Sequence, residues 1–84
     1  MNSKHRKMLL SIFAKPTNPN IDWAEIEALL VALGCQVFEK NGSGILVEKD
    51  GLRLPVHRPH PHKFALRYRV NKVREFLLQL GIKP

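Results

Sequence analysis

In Leu52-Arg53-Leu54-Pro55-Val56-His57 every second residue is apolar, the period of a strand with one buried face. Pro55 has no N–H to give to a ladder, so this strand must run at a sheet edge or carry a bulge. With Leu52, Leu54 and Val56 turned to a core, Arg53 and His57 share the opposite, open face. Arg58-Pro59-His60-Pro61-His62-Lys63 follows at once. Residues 54–63 thus hold three of the four histidines and three of the six prolines. Imidazoles titrate near neutral pH and prolines stiffen the backbone, so this stretch is the first place to look for chemistry.

Two further strands precede it, over about 35–40 and 45–49. Asn41-Gly42-Ser43-Gly44 joins them, and Asn-Gly is a strong signal for a hairpin turn. Asp50-Gly51 makes the second turn. Helices flank the strands. Ser3 can cap a helix over 4–14 that puts Met8, Leu9, Ile12 and Phe13 on one face, and Lys15-Pro16 ends it. Asp22 caps a second helix, with Glu25 in capping-box position, Ile21 and Ile26 as a hydrophobic staple, and Gly34 as the left-handed residue that closes it. A third helix over 67–80 buries Val70, Val73, Phe76, Leu77 and Leu80 and ends at Gly81. The expected fold class is α+β: a three-stranded antiparallel sheet, helices on one face, in the order helix–strand–strand–strand–helix, with an extra N-terminal helix. Residues 1–20 form the N-terminal basic helix and loop, 21–84 the remainder, and together they make one compact domain.

Charge is placed unevenly. Residues 1–20 carry four Lys/Arg and no acid, 21–52 carry two Lys and six Asp/Glu, and 53–84 carry eight Lys/Arg and one acid, for a net charge of +7. A basic final third points to an acidic partner, nucleic acid foremost. The single cysteine, Cys35, cannot form an internal disulfide, which fits a reducing cytoplasm. No signal-peptide pattern is visible and no apolar run approaches the ~20 residues of a membrane span, so no membrane partner is expected.

From about Trp23 onward the chain resembles the HicA toxins of bacterial type II toxin–antitoxin systems. The residues that carry the resemblance are Leu33-Gly34, the Asn41-Gly42-Ser43 turn entering a strand, Pro59-His60-Pro61 after the third strand, and the closing Val73, Phe76-Leu77 and Gln79-Leu80-Gly81-Ile82. The resemblance implies a fold like a double-stranded-RNA-binding domain over 21–84. It also implies an mRNA interferase that binds and cleaves mRNA and is neutralised by a HicB-like antitoxin. One position departs from the family pattern. The family's Gly-Ser-His opens the second strand with a presumed catalytic histidine, and here the residues are Gly42-Ser43-Gly44. A module that binds RNA without cutting it is therefore the alternative.

RNA cleavage without metal needs a base for the ribose 2′-hydroxyl, an acid for the leaving oxygen and a cation for the phosphate. His57 is the first catalytic candidate, projecting from the end of the third strand beside the strand that carries Gly44. His60, in the family-like Pro-His-Pro, is the second. Arg53 and Arg58 are candidates to hold phosphate through bidentate contacts. Gly42, Ser43 and Gly44 can present backbone N–H groups to an anion. Lys63, Arg67, Arg69, Lys72 and Arg74 form a second candidate RNA surface on and before the last helix, with Tyr68 among them. His57, His60 and His62 could also gather a metal, but the segment has no carboxylate or cysteine, so no metal or other cofactor is expected.

Overall fold

The computed structural model describes all 84 residues. Helix α1 spans Ser3–Phe13, α2 Trp23–Ala32 and α3 Arg67–Gln79, and the strands are β1 (Gln36–Glu39), β2 (Gly44–Lys49) and β3 (Leu52–His57). The strands form one antiparallel sheet in the order β1-β2-β3, so the fold is the expected α+β arrangement with an added N-terminal helix. No helix is long and apolar enough to cross a membrane.

Register follows the apolar alternation. Val37, Val47 and Leu54 lie side by side across the three strands, as do Glu39, Ile45 and Val56. Ile45, Val47, Leu54 and Val56 are buried under the helices. Phe38, Leu46 and Pro55 form the alternate row and face away from them. The edge position expected for the proline strand is observed. The Arg58 N–H donates to the Ser43 carbonyl at 2.9 Å, and the alternation of ladder positions back along β3 leaves Pro55 at a non-hydrogen-bonded one. Asp50 (φ 52°) and Gly51 (φ 80°) both adopt left-handed conformations, the two-residue turn whose twist suits a tight hairpin.

Helices α2 and α3 close with the same device. The Gly34 N–H bonds to the Val31 carbonyl and the Cys35 N–H to the Leu30 carbonyl; Gly81 and Ile82 repeat the pattern onto Leu78 and Leu77. These are Schellman closures, and each needs a positive φ at its glycine, +95° at Gly34 and +78° at Gly81. At the other end of α2 the Asp22 carboxylate accepts the Ala24 N–H at 2.9 Å, as expected. The reciprocal half of the capping box does not form. Glu25 turns to Lys4 at 3.8 Å, while the backbone at Asp22 is bridged to Phe64. The cap of α1 is Asn2, whose side chain accepts the His5 N–H at 2.8 Å, and Ser3 is already helical.

α2 packs on β1 and α3 packs on β3, the backbones of these two helices stay apart, and α1 lies close to both. Leu9 and Ile12 of α1 are buried, so the N-terminal helix completes the core. Arg74 of α3 ties it down. Its Nε donates to the Ile12 carbonyl at 2.9 Å, and its Nη2 donates to the Ala14 carbonyl at 3.2 Å and to Thr17 Oγ1 at 3.1 Å. The Thr17 hydroxyl donates in turn to Asn71 Oδ1 at 2.9 Å. Arg74 is therefore not a free cation on a polar face: it satisfies the orphan carbonyls at the end of α1.

If α1 is integral, Ile12→Ala should cost about 2–5 kcal/mol, the range for truncating a fully buried isoleucine. Urea unfolding followed by the fluorescence of buried Trp23 measures it, and a loss under about 0.5 kcal/mol, typical of surface substitutions, would mean that the helix is dispensable.

Candidate functional site

β2 and β3 end together, and their last pair is Gly44 opposite His57. Both positions belong to the sheet face that carries no helix. A Cβ added at Gly44 would lie 3.4 Å from His57 Cε1 and 3.6 Å from Nδ1, so the imidazole lies over the space a side chain at 44 would enter. Ser43 Oγ is 3.5 Å from His57 Nδ1, a long contact. The turn beneath is held by the Gly44 N–H to the Asn41 carbonyl at 3.2 Å and the Lys40 N–H to the Gly44 carbonyl at 2.9 Å. Gly42 has φ +63° and open space around it, so glycine is there for the backbone conformation. An open groove of about 390 Å³ runs past this corner, lined among others by Lys40, Asn41, Gly44, Pro55 and His57.

Arg58 sits differently from the expectation. It continues the parity of Leu54 and Val56 and turns toward the helices. Its Nε and Nη2 each lie 2.9 Å from a Glu27 oxygen, and its Nη1 and Nη2 each lie 2.8 Å from a Glu39 oxygen. The Trp23 indole N–H donates to Glu27 Oε1 at 3.0 Å. One guanidinium thus joins the end of β3 to α2 and β1. The two carboxylates raise the pKa of Arg58 further, and the Arg58 hydrogen bonds hold Glu27 and Glu39 below the usual carboxylate range. With both edges of its fork occupied, Arg58 has no bidentate edge left for a phosphate.

The other candidates separate into groups. Arg53 is on the open face with its Nε 2.9 Å from Glu48 Oε2, and it shares a small groove at the β3 edge with Lys72 of α3. Arg67 Nε donates to the Thr17 carbonyl at 3.3 Å. Arg69 and Lys72 stand over the exposed Tyr68 ring, 5.0 and 5.8 Å from its centroid, and Lys63 stands 5.5 Å from that of Phe64. Lys63, Arg67 and Arg69 belong to the helix layer, and Lys72 reaches the β3 edge beside Arg53. His60 and His62 are exposed in the loop after β3 and make no side-chain hydrogen bond, and no three His, Cys, Asp or Glu side chains gather as metal ligands. Cys35 is buried, which pushes its thiol pKa up and argues against a nucleophilic role.

Two residues at the corner were not singled out from the sequence. Lys40 has no carboxylate within ion-pair distance, unlike Arg53 and Arg58. Phe38 is 41% exposed in the row beside the groove. Counting by twos from Val37, half-buried in β1, and Val47, buried in β2, would have assigned Phe38 to the open face. No protein-family model, curated protein or solved structure matches this chain.

The Arg58 pairs give a signed pH dependence. Depressed carboxylate pKa values add stability that is complete above the ordinary glutamate value of about 4.3 and is lost as pH falls through the lowered folded-state values. Folding free energy measured from pH ~6 to ~3 should therefore fall less steeply for Glu27→Gln than for the parent. Parallel curves would remove Glu27 from the acid response.

Proposed function

We propose that this protein is a HicA-like toxin: an RNA-binding protein and metal-independent endoribonuclease acting on mRNA, held inactive by a HicB-like antitoxin. The observation that carries the reading is the Gly44–His57 pair. The resemblance leaves position 44 without its histidine, and an imidazole from the adjoining strand lies over that same space, within 3.4 Å of where a Cβ at 44 would be. A one-strand transfer of the group keeps the chemistry available while changing the residue that supplies it.

In this reading His57 takes the proton from a ribose 2′-hydroxyl. The freed oxygen attacks the adjacent phosphorus, and the bond to the 5′-oxygen of the next nucleotide breaks. That leaving oxygen takes a proton from a second acid, and His60 is the nearest further imidazole along the chain. Lys40 offers the unpaired cation for the phosphate, and the N–H groups of the 42–44 turn are candidates for its equatorial oxygens. Arg58 acts from behind, steadying the end of β3 from which His57 projects. The helix-layer cations Lys63, Arg67, Arg69 and Lys72 add salt-dependent attraction for RNA. An antitoxin that covers the open face would block the corner.

Purified protein should cleave RNA in EDTA, and His57→Ala should lower the rate by roughly 100-fold or more, the scale of a lost general base. Cleavage that survives the substitution would remove His57 from the mechanism. Salt-sensitive binding without any cleavage by the parent would favour the non-catalytic RNA-binding module, and cleavage abolished by EDTA would require a metal.

A further inference from the structure

The open face of the sheet is not uniformly polar. Phe38, Leu46 and Pro55 lie side by side across β1, β2 and β3 and form an apolar strip about 10 Å wide, given strand spacings near 4.8 Å. Phe38 and Pro55 are exposed and Leu46 is half-buried. Polar groups bound the strip at both ends. Toward one end lie Gln36, Glu48 and Arg53, neighbours in the next outward-facing row. Toward the other lie the Gly44–His57 pair, two residues or about 7 Å along the strands, and the unpaired Lys40. A flat apolar floor with an aromatic ring, donors and acceptors at one end and a cation at the other matches the chemistry of one nucleotide: a planar base with a polar edge, joined to a phosphate.

We propose that this face is a stacking platform for an unpaired nucleobase, so that the substrate is single-stranded RNA. The inference rests on the ribonuclease reading and names the substrate form that the same corner would take. A base inside a duplex has both faces covered by its neighbours and cannot lie on Phe38. A base splayed out of a single strand can, and stacking on aromatic side chains is how sheet surfaces commonly hold single-stranded RNA. With the base on the Phe38–Leu46–Pro55 strip, its phosphate falls beside Lys40 and His57. Charge supports RNA over a second copy of the chain as the occupant, since each copy carries +7 and the one ion pair on this face, Arg53 with Glu48, is internal.

The test is fluorescence anisotropy with a labelled 2′-O-methyl oligoribonucleotide, which lacks the attacking hydroxyl and cannot be cut, free and annealed to its complement. The parent should bind the single strand at least 10-fold more tightly than the duplex. Phe38→Ala should weaken single-strand binding by roughly 5- to 100-fold, the range for losing one base–aromatic stack, and Phe38→Trp should restore it. Unchanged emission from Trp23 in Phe38→Ala, where Trp23 is the only tryptophan, would confirm that the variant is folded. Equal affinity of parent and folded Phe38→Ala for the single strand, or a preference of the parent for duplex, would overturn the platform while leaving RNA binding in place. Failure of the parent to bind either RNA would instead overturn the ribonuclease reading beneath it.

Discussion

The Arg58 guanidinium is the joint between the sheet and the helices at the end that matters. Glu27 comes from α2, Glu39 from β1 and Arg58 from just beyond β3, and no other side-chain hydrogen bond links these three elements. The geometry suits arginine specifically. A planar fork can present two edges to two carboxylates, whereas a lysine ammonium offers a point charge. The exposures of the side chains, 34% for Arg58, 22% for Glu27 and 68% for Glu39, grade the contacts. The Glu27 contact, sheltered and backed by the Trp23 indole, carries more weight than the Glu39 contact, which water and salt screen. A clamp at residue 58 fixes the backbone one residue after His57. It therefore steadies the strand end from which the imidazole projects, without touching it.

The rest of the architecture follows from a shortage of core. A chain of 84 residues has little apolar surface to bury, and α2 and α3 each pack on a different edge strand of the sheet. α1 packs against both helices and adds Leu9 and Ile12 to the core, and Arg74 secures it by hydrogen-bonding its terminal carbonyls. Covering the helix side this way leaves the other side of the sheet bare. The bare side is where the glycine turn, His57, Lys40 and the Phe38–Leu46–Pro55 strip all lie. Packing thus takes one face of three short strands, and the groups of the candidate site take the other.

Much of the fold was legible because its signals are local. Asp22 announces a helix start through its side chain, Gly34 and Gly81 announce helix ends through the φ they alone tolerate easily, and Pro55 announces an edge through the donor it lacks. The β3 boundaries follow from the alternation itself. The arginines were not legible in the same way. Arg58 and Arg74 look like free cations in the sequence, because their partners are 31 and 62 residues away at the longest hydrogen bonds they make. Parity puts Arg58 on the helix side, but parity holds only while the strand continues, and the prolines at 59 and 61 gave no assurance that it did. Lys40 was missed for a related reason: what distinguishes it is its place in the groove beside His57, which strand pairing creates and no local pattern records. The Gly44–His57 pairing was anticipated, since strand registers set by two tight turns leave few alternatives.

In the proposed mechanism His57 starts cleavage by activating a ribose hydroxyl. The measurement that tests it most directly is the chemical identity of the cut ends, read by mass spectrometry after digestion of a defined oligoribonucleotide in EDTA. Attack by the 2′-oxygen must leave a 2′,3′-cyclic phosphate on one fragment and a 5′-hydroxyl on the other, and replacing the single ribose at the cut by deoxyribose must stop cleavage there. A 5′-phosphate with a free 3′-hydroxyl, or undiminished cutting at the deoxyribose, would mean that water is the nucleophile and would contradict the account.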